Sequence, residues 1–173
     1  MIIKVKLSPS GIKKAQSEVR DYKRRVDAKL TEFIRRLSAI GLNVAQARFS
    51  TALYDGVNDV TVYVEQDGAK AYIIAEGSAV AFIEFGTGVA FPEHGSGLFK
   101  HGSYGSGKGS NPNGWVYNGS PGTGGMPLYD RKGNERSGVY RTKGNPPAEA
   151  MWTAVTEMAA QITQVWREVM GGD

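Results

Sequence analysis

The run SPSGIKKAQSEVRDYKRRVDAKLTEFIRRLSAIGLNVAQARF, Ser8 to Phe49, decides how the rest of the chain is read. Apolar residues recur at Ile12, Ala15, Val19, Tyr22, Val26, Leu30, Phe33, Leu37, Ile40 and Val44, in steps of three and four throughout. That spacing marks one face of an amphipathic helix. Ser8 stands where an N-cap belongs. Pro9, at the first helical position, lacks only an N–H that would have no partner there. Gly41 is a candidate kink, after which the pattern resumes through Val44 and Ala45 and fades near Phe49. The expected helix is roughly 35–40 residues, or about 50–60 Å at 1.5 Å per residue. A compact domain rarely needs so long a rod, so part of it is expected to pack on something else.

The chain around this helix has 173 residues and a mass of 18.7 kDa, which predicts a single domain over 1–173 with a core of its own. Hydrophobic residues make up 40% and charged residues 22%, ordinary globular usage that argues against wholesale disorder. There is no cysteine, so disulfide scaffolds and thiolate metal sites are excluded. No apolar run approaches the length of a membrane span, and MIIKVKLSPSG shows no secretion signal. The expected setting is the cytoplasm, or a particle assembled there. The net charge of +4 is unevenly placed. Residues 1–50 carry twelve Lys/Arg against four Asp/Glu, and the remainder carries nine against thirteen. Such asymmetry suits nucleic acid, an acidic partner, or a basic end of one copy meeting an acidic side of another.

Beyond the helix, Val60–Glu65 and Lys70–Glu76 are rich in β-branched and aromatic residues. The Asp67-Gly68 between them predicts a hairpin. Residues 2–6 (IIKVK) alternate weakly, as a short strand does. Ser78–Phe85, SAVAFIEF, is short and apolar, and periodicity leaves helix and strand both open. From Gly86 to Gly144 the composition changes, with 16 of the 23 glycines and both histidines in that window. Within it only Gly114–Asn118 and Ser137–Thr142 read as strands, with YDRKGNERSG as a turn-rich link. Residues 86–114 read as an extended Gly-rich loop or arm, a length that usually has a binding or assembly role. After Gly144-Asn145-Pro146-Pro147 a second helix follows, with Met151, Val155, Met158, Ile162, Val165 and Val169 on one stripe. Trp152, Ala159 and Trp166 flank that stripe. Burial of each Trp would contribute several kcal/mol, from roughly 150–250 Å² at about 25 cal/mol/Å². The predicted fold class is α+β: a small, mainly antiparallel sheet flanked by the long N-terminal and amphipathic C-terminal helices.

Candidate chemistry is thin. GSYGSGKGS, Gly102 to Ser110, places Gly102, Gly107 and Lys108 on three positions of a phosphate-binding loop. Gly109 stands where the Mg²⁺-holding Ser or Thr belongs, no buried strand precedes, and no helix follows, so the geometry that aims N–H groups at phosphate is missing. His94 and His101 share a loop with Glu93 but have no converging third ligand. Glu84, Glu93 and Asp130 have no spacing that nominates an acid–base pair. These readings give no enzyme, no cofactor and no metal. The basic pairs Lys13-Lys14, Lys23-Arg24-Arg25 and Arg35-Arg36 would track phosphates, or would be the solvated flank of the apolar stripe. Tyr22 and Phe33 fall on that stripe and are not placed as stacking platforms.

The segment Ala79–Gly88 ends in Glu84-Phe85-Gly86-Thr87-Gly88, and Gly144-Asn145-Pro146-Pro147-Ala148-Glu149-Ala150-Met151 opens the last helix. With the Trp-Val-Tyr strand at 115–117, this order resembles the minor tail or neck (tail-completion) protein family of long-tailed double-stranded DNA bacteriophages. Ala148-Glu149-Ala150-Met151 departs from an Arg-Pro-Phe frequent in that family, and Met151 or Trp152 is expected to fill the aromatic's space. The resemblance implies a structural virion protein at the head-proximal end of the tail, assembled in the host-cell cytoplasm. It would be a homo-oligomeric ring, expected as a hexamer, joining the tail tube, tail terminator and head–tail connector proteins. DNA in the lumen would be a passing contact, and no membrane would be involved. Glu84 to Gly88 would serve as a tight turn, a subunit contact, or both. Gly144, Pro146, Pro147, Met151 and Trp152 would open the helix. In a ring, Arg24, Arg25, Arg35 and Arg36 of one copy are expected near an acidic side of the next. The arm is expected to be mobile in the monomer and ordered in the ring, with protease sensitivity at Lys100 and Lys108 as the readout. The alternative function is a nucleic-acid-binding module acting through the basic helix.

Overall fold

The computed structural model describes residues 7–86, 113–122 and 125–171. The strand expected at 2–6, Thr87 and Gly88, His94 and His101, and the Gly102–Ser110 loop with Lys100 and Lys108 lie outside the described residues.

Helix α1 runs Pro9–Thr51, a little longer than its periodicity predicts, because weakly patterned residues after Val44 continue the turn. The Ser8 hydroxyl accepts the Gly11 N–H at 3.1 Å and Pro9 follows at the first turn, a standard N-cap arrangement. At the other end Asn58 Nδ2 donates to the Phe49 carbonyl at 2.8 Å and satisfies one of the orphaned acceptors. The hairpin follows as β1 (Thr61–Asp67) and β2 (Lys70–Glu76), antiparallel, with Asp67 opposite Lys70. Gly68, at φ 57°, supplies the left-handed residue of the two-residue turn. The ambiguous run 78–85 resolves as a short helix, α2 (Val80–Phe85). Its N-terminus is fixed by Asp59, whose carboxylate accepts the Ser78 N–H and hydroxyl and the Ala79 N–H at 2.7–2.9 Å. The Ser78 bonds, with the Ala79 amide, hold the Asp59 carboxyl down at about 2.

A second sheet has the order β3-β5-β4, from Trp115–Asn118, Glu135–Thr142 and Met126–Tyr129. The expectation of only two strands in this region is corrected here. Met126–Tyr129 is a strand, with Met126 opposite Arg141 and Pro127 opposite Tyr140. Pro127 has no N–H to give the ladder, but β4 lies at the sheet's edge, where that is tolerated. Only residues 130–134 form the turn. There the Asp130 carboxylate accepts the Lys132 and Asn134 N–H groups at 2.7 and 2.9 Å. Helix α3 (Ala150–Met170) closes the described chain. The fold is α+β, with two small antiparallel sheets instead of one.

The core forms where the C-terminal half of α1 meets the hairpin, α2 and the start of α3: Ala45, Phe49, Val62, Ala79, Ile83, Ala150 and Ala154 are buried together. The most buried line of α1 is Ser38, Gly41, Ala45 and Phe49, one residue away from the large apolar stripe. On α3 it is Ala150, Ala154, Val165 and Val169. Small residues win the center because they let backbones approach closely, and larger side chains then wrap the sides. Gly41 is therefore a packing residue inside an unbroken helix, and the expected kink is not needed. A Cβ there would meet Ile73 Cδ1 at 2.5 Å and Met158 Sδ at 2.6 Å. Full burial of Trp152 and Trp166 does not occur within the chain, since both remain partly exposed. Trp166 stacks edge-on against Phe33 at 5.3 Å, and beside that contact Lys29 Nζ reaches the Met170 carbonyl at 3.4 Å. No described helix is long and apolar enough to cross a membrane.

Candidate functional site

The two segments that carry the phage resemblance meet in space. Helix α2 delivers Glu84 to the N-terminus of α3, where Oε2 accepts the Met151 N–H at 3.0 Å and Oε1 accepts the Trp152 N–H at 3.1 Å. Two of the four N–H groups that a helix start leaves unpaired are thereby bonded to a carboxylate, which also opposes the positive end of the helix dipole. The local N-cap does not supply this. Glu149 makes no side-chain cap bond and sits at φ 49°, ψ 41°, an uncommon conformation for a residue with a Cβ. It is held there by its own N–H on the Glu84 carbonyl at 3.1 Å, next to Ala148 N–H on the Ile83 carbonyl at 2.8 Å. Asn145, almost wholly buried, completes the clasp by donating from Nδ2 to the Phe82 carbonyl at 3.0 Å.

Gly86 ends α2 at φ 71°, ψ 173°, a region open to glycine. It lies against the backbone of Asn145, Pro146 and Pro147. The E-F-G and G-N-P-P segments thus form one joint, with Ile83 as its fully buried side chain and Phe85 half-buried beside it. Both oxygens of Glu84 are taken up inside the chain. Met151 packs against the core, while Trp152 stays partly exposed.

Beside this joint lies a cleft of about 230 Å³ walled by Tyr54, Phe82, Trp115 and Tyr117, with Asp55 and Asn145 among its lining residues. Asp55 ties the second sheet to the end of α1. Its carbonyl accepts the Tyr117 hydroxyl at 2.7 Å and the Gly122 N–H at 3.1 Å. Its carboxylate Oδ2 takes the hydroxyl of buried Thr142, which in turn accepts the Gly144 N–H at 2.8 Å. Oδ1 is buried without a partner among the described residues. Burial pushes the Asp55 carboxyl above its ordinary value, against a smaller downward pull from the Gly144 N–H.

The sign follows from linkage. A folded value above the unfolded one means the folded state holds its proton longer, so this residue's contribution declines as pH rises from the ordinary carboxylate range through the raised value. Asp55→Asn is expected to remove that decline. Urea unfolding of both proteins across the acid-to-neutral range checks it, and an unchanged slope in Asp55→Asn would contradict the assignment. Sequence reading passed over Asp55 because Leu53-Tyr54-Asp55-Gly56 matches no motif. The only local signal is an Asp-Gly turn.

The four arginines of the basic helix divide. Arg35 and Arg36 both bond Glu32, at 2.6–2.8 Å, and Arg36 also reaches Glu168 at 3.3 Å. These bonds hold the Glu32 carboxyl down at about 2. Arg24 pairs with Asp21, and Arg25 is exposed. Among the described residues, no three His, Asp or Glu side chains converge as a metal set. Compared with protein-family models, curated proteins and solved structures, the chain matches none of them.

Proposed function

We propose that this chain is a structural virion protein, a subunit of a homo-oligomeric ring at the head-proximal end of a phage tail, where it joins the tail tube to the head–tail connector. The observation that carries the reading is the set of large apolar side chains left exposed on both long helices. Ile12, Val19 and Tyr22 of α1 and Val155, Ile162 and Trp166 of α3 are each near half exposed. Exposed apolar surface on this scale marks protein–protein contact. The resemblance supplies the setting. The joint between Glu84 and α3 supplies a physical reason for both motif segments, since each secures the chain's own fold before assembly. The hexamer, the virion location and the tail tube, terminator and connector partners belong to this proposal.

Light scattering on the purified chain is expected to give a closed multiple of the 18.7 kDa chain mass, six being the proposed number. Electron microscopy should then show rings that seat on one end of purified tail tubes. A single-chain mass at high concentration would overturn the proposal, and so would open filaments. The nucleic-acid reading loses ground because Arg35 and Arg36 are already engaged by Glu32. A DNA-binding titration in salt decides it, since several phosphate contacts give a steep slope.

A further inference from the structure

Among the described residues, Asp55 Oδ1 is the one buried side-chain oxygen or nitrogen without a hydrogen-bond partner, on a residue only 7% exposed. The polar groups around it are committed elsewhere. Thr142 gives its hydroxyl proton to Oδ2 and accepts the Gly144 N–H, and the Tyr117 hydroxyl goes to the Asp55 carbonyl. Asn145 Nδ2 donates to the Phe82 and Pro146 carbonyls at 3.0 and 3.3 Å. A buried carboxylate oxygen in that position costs free energy until a donor or a cation meets it. Asp55 lines the cleft of about 230 Å³ that Tyr54, Phe82, Trp115 and Tyr117 wall, and Phe82 is 49% exposed at its mouth. No Lys or Arg is among the described lining residues, and Arg141 and Lys143, on either side of Thr142, are exposed. The local field is negative: burial first, then the charges of Asp59 and Asp55, push the Tyr54 hydroxyl above its ordinary value.

We propose that this cleft binds one organic cation, an ammonium or guanidinium group on a short alkyl stem, with Asp55 Oδ1 as its acceptor and the aromatic side chains around it. Aromatic faces attract such cations, and their apolar stems pack against rings. An anion would meet the Asp55 charge, and a wholly apolar group would leave Oδ1 without a partner. Size narrows the class further. The cleft is smaller than the roughly 300–1,000 Å³ pockets that enclose drug-sized ligands, so it suits a group the size of one side chain and not a nucleotide. A cation beside Oδ1 would also offset the burial that pushes the Asp55 carboxyl up. Free alkylamines carry this chemistry, and so do the Lys and Arg side chains of another polypeptide. The site does not depend on the proposed ring, and the ring does not depend on it.

The test is a titration of the full chain followed by the three tryptophan indole N–H signals in nuclear magnetic resonance spectra. The probes are n-butylammonium chloride and n-propylguanidinium chloride, with sodium chloride and the neutral n-butanol as controls. Either cation is expected to shift the Trp115 signal saturably in the millimolar range, while Trp152 and Trp166, on α3, hold their positions. Asp55→Asn should weaken that binding about tenfold or more, the loss expected for a hydrogen bond to a charged group. Trp152 and Trp166 signals at their wild-type positions show that the variant is folded. If Asp55→Asn does not fold, the wild-type comparison with n-butanol decides. No saturable shift with either cation overturns the site, as does n-butanol acting as strongly as n-butylammonium, or a folded Asp55→Asn that binds as well as wild type. Once cation binding is seen, light scattering separates the sources. A lower assembly mass for Asp55→Asn than for wild type assigns the cation to a neighboring copy, and an equal mass assigns it to a free amine.

Discussion

Gly86→Ala is expected to lower the stability of this protein by about 4 kcal/mol, from two costs that add. The first is conformational: φ 71° with ψ 173° is a backbone region closed to residues with a Cβ, worth about 1–3 kcal/mol. The second is crowding. An added Cβ would stand 2.7 Å from Pro147 N, 2.8 Å from the Asn145 carbonyl oxygen and 3.0 Å from the Pro146 carbonyl carbon. These are backbone atoms, two of them in prolines, so they cannot rotate away as a side-chain end would. Overpacking of this kind costs about 1–3 kcal/mol. For a chain of this length the melting temperature should fall by about 10 °C. Gly68→Ala is the control, because Gly68 also has a positive φ but nothing lies within 4 Å of its Cβ position. It should cost about 1–2 kcal/mol, the left-handed penalty alone. Equal losses at the two glycines in urea titrations would mean that the close approach of α2 to Asn145–Pro147 contributes nothing.

The second large effect is expected at Glu84. Glu84→Ala removes the carboxylate that accepts the Met151 and Trp152 N–H groups and leaves both donors without that partner. Hydrogen bonds to a charged group contribute about 1.5–3 kcal/mol each, and the lost desolvation of a buried carboxylate offsets part of the sum. A net loss of about 3 kcal/mol is expected. Glu84→Gln keeps the size and one acceptor oxygen but turns an NH₂ donor toward an N–H, so it should recover about half. Amide hydrogen exchange separates this from a general loss of stability. Met151 and Trp152 should lose more protection than amides near the middle of α3, such as Val165. A Glu84→Ala variant within about 0.5 kcal/mol of wild type, the range of ordinary surface substitutions, would remove Glu84 from the joint.

These two residues also show where the sequence was legible. Glu84 and Gly86 stand out as part of E-F-G-T-G, but nothing in their neighborhood says that the carboxylate caps a helix beginning at Ala150. That is a long-range contact, and no local spacing encodes it. Asp55 and Asn145 are harder still, because an Asp-Gly turn and an Asn before two prolines look like ordinary loop chemistry. Strand β4 was missed for a related reason. Pro127 weighs against a strand on local grounds, and only pairing to β5 makes one of it. Helix α1 and the hairpin were legible because their signals are local: Ser8-Pro9 and a 3.6-residue period for one, Asp67-Gly68 between β-branched runs for the other.

Amino-acid order alone determined the two long helices, the hairpin, the α+β class and the uneven charge, since each follows from spacing or composition within a short window. Tertiary structure alone decided which line of each helix is buried. Ser38, Gly41 and Ala45 on α1 and Ala150 and Ala154 on α3 take the center ahead of larger neighbors, because small side chains permit the closest backbone approach. It also decided that Glu84 serves α3, and that Ile12, Val19 and Tyr22 of the α1 stripe stay about half exposed while Leu30, Phe33 and Leu37 are better covered. Periodicity repeats along the whole helix, but cover depends on where α3 ends against it, at Met170 beside Lys29.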